Sequence, residues 1–224
     1  MAESVEDEES MAFQMEQARR FLKGAIAAAV ILLATPAFAA PCRIAVLGDS
    51  LTAAYGLDFA DGFPAKLEQA LRAQGYDCAV LDAGVSGDTS AGGLARLDWM
   101  LADQPSHVIV ELGGNDGLRA LPPEQMAQNL DQIITRLKDE GLFVLLTGML
   151  APPNLGREYG TAFAAVFPQL AEKYDVPLYP FFLDGVAGEA LLNQGDGIHP
   201  TEEGIAIIVE KILPTVTAWL DEGA

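Results

Sequence analysis

Five short apolar runs, each followed by a stretch with helical spacing or a polar loop, set the strongest limit on how this chain can fold. "RIAVL" (43–47), "CAVLDA" (78–83), "HVIVEL" (107–112) and "LFVLLT" (142–147) are nearly unbroken in apolar residues, and a weaker "VPLYPFF" (176–182) follows. A strand with one wet face alternates polar and apolar residues, so an unbroken run predicts a strand covered on both faces. Helical spacing fills 63–75, 92–104, 122–141, 157–174 and 201–220. In the third of these Met126, Leu130, Ile133, Ile134 and Leu137 form one stripe. Pro168 predicts a kink or a break in the fourth. Thr201 is placed to cap the fifth, with Glu202 and Glu203 favourable to its dipole. Alternation of this kind from Arg43 onward predicts an α/β fold, a five-stranded parallel sheet with helices on both faces joined by right-handed crossovers.

Sites in such sheets form in the loops beyond the carboxyl ends of the strands. There this chain carries "GDSLTAAYG" with Ser50, "GVSGDTSAGG" with Gly87 and "GGNDGLR" with Asn115. "GDGIHPTEEG", with Asp196 and His199, lies on the same side, between the last strand and the last helix. A serine hydroxyl is a poor nucleophile until a base takes its proton. The chain has two histidines, and His107 begins the third strand at the opposite end of the sheet, which leaves His199. Asp196, three residues earlier, can fold back to hold Nδ1–H and leave Nε2 for Ser50. Pro200 biases His199 away from helical geometry, so the histidine sits in a presented loop. The tetrahedral oxyanion of ester attack needs fixed donors, and the N–H groups of Ser50 and Gly87 with the Asn115 amide are the available set. Asp49, Asp88 and Asp116 read as loop-fixing or capping residues. The chain has no phosphate-binding loop, dinucleotide fingerprint or H-E-x-x-H, and two histidines and two cysteines are too few for a metal cluster. Neither cofactor nor metal is expected.

Each block alone is an ordinary turn; together and in order they resemble a known family. "GDSLTAAYGL", "GVSGDTSAGGLARL", "ELGGNDGLRALP" and "GDGIHPTEEG" are similar to the four signature blocks of the SGNH (GDSL) hydrolases. Their spacing and the flanking "ALPPEQMAQNLDQII" and "KYDVPLYPFF" most resemble the periplasmic branch of multifunctional thioesterases, lysophospholipases and arylesterases. The resemblance spans nearly all of 43–220. It implies a three-layer, flavodoxin-like fold, Ser50 as nucleophile, Gly87 and Asn115 as oxyanion donors, and Asp196–His199 completing a triad. The G-x-S-x-G elbow of the α/β-hydrolases is absent around Ser50.

The activity this implies is a serine esterase acting on aryl and acyl esters, thioesters and lysophospholipids through an acyl-enzyme. Two alternatives stand beside it, a carbohydrate O-acetylesterase and a non-catalytic periplasmic protein that binds lipids or esters. Leu118, Met149, Leu150 and Leu155, with Leu121, either line an apolar groove for an acyl chain or simply pack on the rim. Arg119 and Arg157 either meet a substrate phosphate or are solvated.

Residues 1–39 read as an extension and a secretory signal, and 40–224 as the hydrolase domain. Arg19, Arg20 and Lys23 precede an apolar run, 25–34, too short to span hydrocarbon, then Pro36 and "AFA" ending at Ala39. The paired arginines lack the spacer of twin-arginine signals, which points to the general secretory route. The opening "MAESVEDEES" is acidic, and Met11 and Met15 are alternative starts. A periplasmic or secreted protein is expected, with no stable membrane anchor once the signal is cut. The net charge of −19 argues against nucleic acid and anionic lipid surfaces as partners and leaves small esters or lipids. Cys42 and Cys78 are either a disulfide or two core thiols. The bridge rests on position, since both lie near the starts of strands that the resemblance makes neighbours.

Overall fold

The structure is a computed structural model that describes residues 42–222 and, before them, Met11, Phe13, Met15, Glu16, Gln17 and Arg19. The chain divides into two units, 1–40 and 41–224. The expected signal run and its cleavage point at Ala39 lie outside the described residues. The second unit contains a parallel sheet of β1 (Cys42–Gly48), β2 (Cys78–Gly84), β3 (His107–Val110), β4 (Phe143–Thr147) and β5 (Leu178–Tyr179), in the order β2-β1-β3-β4-β5. The helices are α1 (Phe63–Ala73), α2 (Ser90–Ala95), α3 (Leu97–Leu101), α4 (Gly114–Leu118), α5 (Pro123–Asp139), α6 (Arg157–Tyr174) and α7 (Glu202–Glu222).

Continuous apolar sequence is matched by continuous burial. Ile44, Ala45, Val46 and Leu47 of β1 and Val108, Ile109 and Val110 of β3 are all buried, because helices cover both faces. The chain steps from β1 to β2 in one direction and from β2 through β5 in the other. With right-handed crossovers that reversal sends α1 to one face and the helices between β2 and β5 to the other. Accordingly α7 packs on α1, and α5 packs on both α2 and α6. The reversal also opens a crevice between the carboxyl ends of β1 and β3, the position at which open α/β sheets bind ligands.

Three elements differ from expectation. The stretch 92–104 forms two short helices, parted at Arg96, whose side chain bonds Asp88 (2.5 Å) and the Gly48 carbonyl (2.8 Å). Pro168 neither splits nor ends α6. The proline is exposed, and Phe163, Val166, Phe167 and Leu170 bury one continuous stripe across it, holding both halves in line. The last strand shrinks to Leu178–Tyr179, since Pro177 and Pro180 on either side offer no N–H to a ladder. Among the described residues no helix is long and apolar enough to cross a membrane.

Cys42 and Cys78 are direct register partners at the start of β1 and β2, with Cα atoms 4.6 Å apart, and they form a disulfide. The bridge pins edge strand β2 to β1, the strand that leads into Ser50. It joins residues 36 apart, and a loop of that length corresponds to about 3–4 kcal/mol in the chain-entropy account. Reduction, or Cys42→Ser with Cys78→Ser, should lower unfolding stability by up to that amount in urea titrations. Unchanged stability would mean that the bridge constrains little of the unfolded chain.

Candidate active site

Strand β1 ends in a tight turn organised by one carboxyl group. Asp49 is buried, its Oδ1 accepts from the Leu51 N–H (3.0 Å), and its backbone carbonyl accepts from the Ala53 N–H (3.0 Å) and the Thr52 hydroxyl (3.2 Å). The turn leaves Ser50 half-buried at the strand's carboxyl end. Gly48 must be glycine, because a Cβ there would overlap the side chains of Thr52 and Glu111.

The histidine arrives from the far end of the sequence. Asn193 and Pro200 pair as an isolated bridge, and the Asn193 amide donates to the carbonyls of Val186 (2.7 Å) and Glu189 (2.9 Å), which anchors the base of the loop. Asp196 Oδ1 accepts from the N–H groups of Ile198 (2.9 Å) and His199 (3.0 Å), curling the backbone so that Oδ2 meets His199 Nδ1 at 2.6 Å. A carboxylate only accepts, so Nδ1 carries the proton, and Nε2 is left to accept from the Ser50 hydroxyl at 2.9 Å. The hydrogen bond from His199, then those from the two N–H groups, hold the Asp196 carboxyl well below its ordinary range. Thr201 caps α7 as expected, accepting from the Gly204 N–H (3.2 Å). His107 sits at the start of β3 against Ser106, Phe143 and Trp219, away from these loops.

The expected oxyanion donors are free to act. The N–H groups of Ser50 and Gly87 meet no protein acceptor among the described residues. Gly87 has φ +88, a backbone suited to glycine, and its carbonyl accepts from Arg119 (2.7 Å), which gives that arginine a structural contact. Asn115 Nδ2 donates one hydrogen to Asp49 Oδ2 (2.9 Å), which orients the amide and leaves a second hydrogen for a ligand. Asp88 and Asp116 fix loops as expected, through Arg96 and through the N–H (2.8 Å) and hydroxyl (2.6 Å) of Ser90.

An apolar cleft of about 450 Å³, counting its open mouth, adjoins Ser50 and Asn115. Leu118, Met149 and Leu150 line it together with Leu51, Pro152, Leu183 and Ile198. Leu155 does not; it lies on a 3₁₀ turn (Pro153–Leu155) directly after Pro152. Leu121 also lies outside the lining, and Arg157 is exposed away from it.

Sequence reasoning overlooked Glu111, directly after β3. It is fully buried; its Oε2 accepts from the Asp49 N–H (3.3 Å) and its Oε1 has no partner among the described residues. Burial, with the nearby Asp49 charge, raises the Glu111 carboxyl well above 4.5. Burial likewise pushes Asp49 up to about 6, against the hydrogen bonds from Leu51 and Asn115. The signal for Glu111 was an acid inside the apolar run "HVIVEL". A group whose folded pKa lies above its unfolded value stabilises fully below the unfolded value and loses that contribution as pH rises. Glu111→Gln keeps the acceptor and cannot ionise. The variant should therefore gain stability over the parent as pH rises from 4.5 to 8, read by urea denaturation at both ends. A constant difference would show that Glu111 titrates normally.

Residues 46–207 match the model of the GDSL-like lipase/acylhydrolase family. Esterase TesA of Pseudomonas aeruginosa is 45% identical over 183 residues, 81% of this chain and 91% of that protein. The thioesterase 1/protease 1/lysophospholipase L1 of Escherichia coli K12 is 41% identical over 181 residues, 80% of this chain and 86% of that one. The crystal structure of TesA superposes with a TM-score of 0.76 at 45% identity, covering 79% of this chain and 99% of that one. The psychrotrophic esterase EstA from Pseudoalteromonas sp., solved inhibited by monoethylphosphonate, also gives 0.76, at 35% identity over 80% and 98% of the two chains. With four loops of a doubly covered parallel sheet meeting around Ser50, and this match across most of its length, the chain belongs to the GDSL-like lipase/acylhydrolase family.

Proposed function

We propose that this protein is a serine esterase that hydrolyses carboxylic esters and thioesters through an acyl-enzyme at Ser50. The observation that carries the reading is the unbroken chain of hydrogen bonds from Asp196 through His199 to Ser50 at the mouth of an apolar cleft. His199 Nε2 takes the hydroxyl proton as Ser50 Oγ bonds the ester carbon, and Asp196 stabilises the imidazolium that forms. The carbonyl oxygen, now an oxyanion, is met by the N–H groups of Ser50 and Gly87 and by the free hydrogen of Asn115. Collapse breaks the bond to the leaving oxygen or sulfur, which receives the proton from Nε2. Water then repeats the cycle, giving its proton to His199 and its oxygen to the acyl carbon, and Ser50 is restored.

Leu51, Met149, Leu183 and their neighbours give the cleft an apolar lining suited to an alkyl chain. That lining favours acyl esters and lysophospholipids over acetyl groups carried on carbohydrate. The relatives named esterase, arylesterase and thioesterase/lysophospholipase accord with that range. The inhibition of EstA by a phosphonate suits a serine nucleophile in that relative. The same reading places the protein outside the cytoplasm, with residues 1–39 removed on export and the Cys42–Cys78 bridge kept in an oxidising compartment.

On a p-nitrophenyl series from acetate to palmitate, medium-chain esters should be turned over fastest, and Ser50→Ala should abolish hydrolysis. Acetate-only activity would shift the reading to an acetylesterase, and equal inertness of parent and variant would support a binding protein. Asn115→Ala should lower kcat by on the order of 10²–10³; a loss below tenfold would remove Asn115 from the oxyanion site.

A further inference from the structure

Tyr55 takes no part in the steps above, yet the fold builds a mount for it. Ala54 and Gly56 on either side have φ of +52 and +72, and the Leu57 N–H closes the turn on the Ala54 carbonyl at 2.9 Å. A left-handed alanine is sparsely populated backbone, held only where its surroundings enforce it. The Tyr55 carbonyl accepts from Gln194 Nε2 (2.8 Å), which also donates to the Pro200 carbonyl (3.0 Å), directly after His199. A side chain on Gly56 would overlap Gln194, so the nucleophile loop and the histidine loop are fitted to each other at this point. The result is a phenol ring whose centroid lies 4.2 Å from that of His199, planes tilted by 32°. Tyr55 is 49% exposed and its hydroxyl has no partner among the described residues.

Around an ester carbon bonded to Ser50 three directions are assigned by chemistry. The acyl chain enters the apolar cleft, the oxyanion faces its donors, and the leaving oxygen must lie within reach of His199 Nε2 to collect its proton. Ile198 lines the acyl cleft and Tyr55 does not, so the two flank His199 with different tasks. We propose that Tyr55 is the specificity residue for the leaving group, its exposed face stacking a flat aromatic alcohol while His199 protonates the departing oxygen. The inference rests on the serine-esterase reading and adds to it a division of labour, with acyl selection in the cleft and leaving-group selection at Tyr55. An aryl group gains ring-on-ring contact there; a small alkyl group has no comparable surface to offer.

The test compares two esters that share one acyl group, phenyl butanoate and 2,2,2-trifluoroethyl butanoate. Both form the same butanoyl-enzyme, so deacylation is common to them and only acylation can distinguish them. Tyr55→Ala should lower kcat/KM for the phenyl ester about three- to tenfold more than for the trifluoroethyl ester. Intrinsic reactivity cancels, because each ester is compared with itself between variant and parent. Tyr55→Phe keeps the ring and should keep the parent's preference, which separates stacking from misfolding. Deacylation of preformed butanoyl-enzyme should be the same in Tyr55→Ala and parent. Equal losses on both esters, or slowed deacylation, would overturn the proposal and make Tyr55 a brace for the imidazole. No loss on either ester would also overturn it. Inertness of the parent on both would instead sink the serine-esterase reading itself.

Discussion

The Asp49 carboxyl group, buried beneath the nucleophile turn, is the interaction on which the rest of the site depends. One oxygen holds the Leu51 N–H and so shapes the turn around Ser50; the other holds the Asn115 amide, which comes from the end of a different strand. Removing a carboxyl group from water costs several kcal/mol unless hydrogen bonds replace the lost solvation. Here they do so only in part, since the group still titrates near 6. Beneath it Glu111 accepts from the Asp49 backbone while its own second oxygen lacks a partner. Two neighbouring buried acids, one with an unpartnered oxygen, destabilise the fold locally. What they accomplish is registration: the Leu51 N–H of the turn around Ser50 and the Asn115 amide, 66 residues from Asp49, are fixed to a single group.

Topology explains why such a tie is available. Reversal of strand order between β1 and β3 leaves their carboxyl ends side by side with no crossover helix over the gap. Ser50 leaves one strand at this gap and Asn115 leaves the other. The histidine loop reaches the same place from between β5 and α7, carrying its orienting aspartate with it. Asp196 and His199 form a local unit, three residues apart, whereas the contact with Ser50 spans 149 residues. Local bonds set the tautomer, and the sheet and its helices set the distance. The bridge of Cys42 to Cys78 acts at the opposite end of β1, so both ends of that strand are held.

What could be read from the sequence follows from whether a signal was local. Four strands were legible because burial on both faces leaves an unbroken apolar run. The fifth was overextended, since the prolines that end its pairing stand within the apolar stretch. The break at Arg96 is caused by the pull of Asp88 and Gly48, partners that no window around residue 96 contains in full. Ser50, Asp196 and His199 were legible because only one histidine stands at the right end of the sheet. Glu111 was hidden because its meaning comes from Asp49, 62 residues away. Tyr55 was hidden because a loop aromatic has no role until a second loop is laid against it. Leu118, Met149 and Leu150 do line the cleft, whereas Leu155 lies outside the lining, a matter of loop path that composition does not encode.

The proposed chemistry requires that the hydroxyl of Ser50 be the group activated by His199. Reaction with a fluorophosphonate, followed by peptide mass mapping, tests it directly. One equivalent of phosphonyl group should add to Ser50, rapidly in the parent protein and at least a hundredfold more slowly in His199→Ala. Labelling at any other residue, or equal rates in the two proteins, would contradict it.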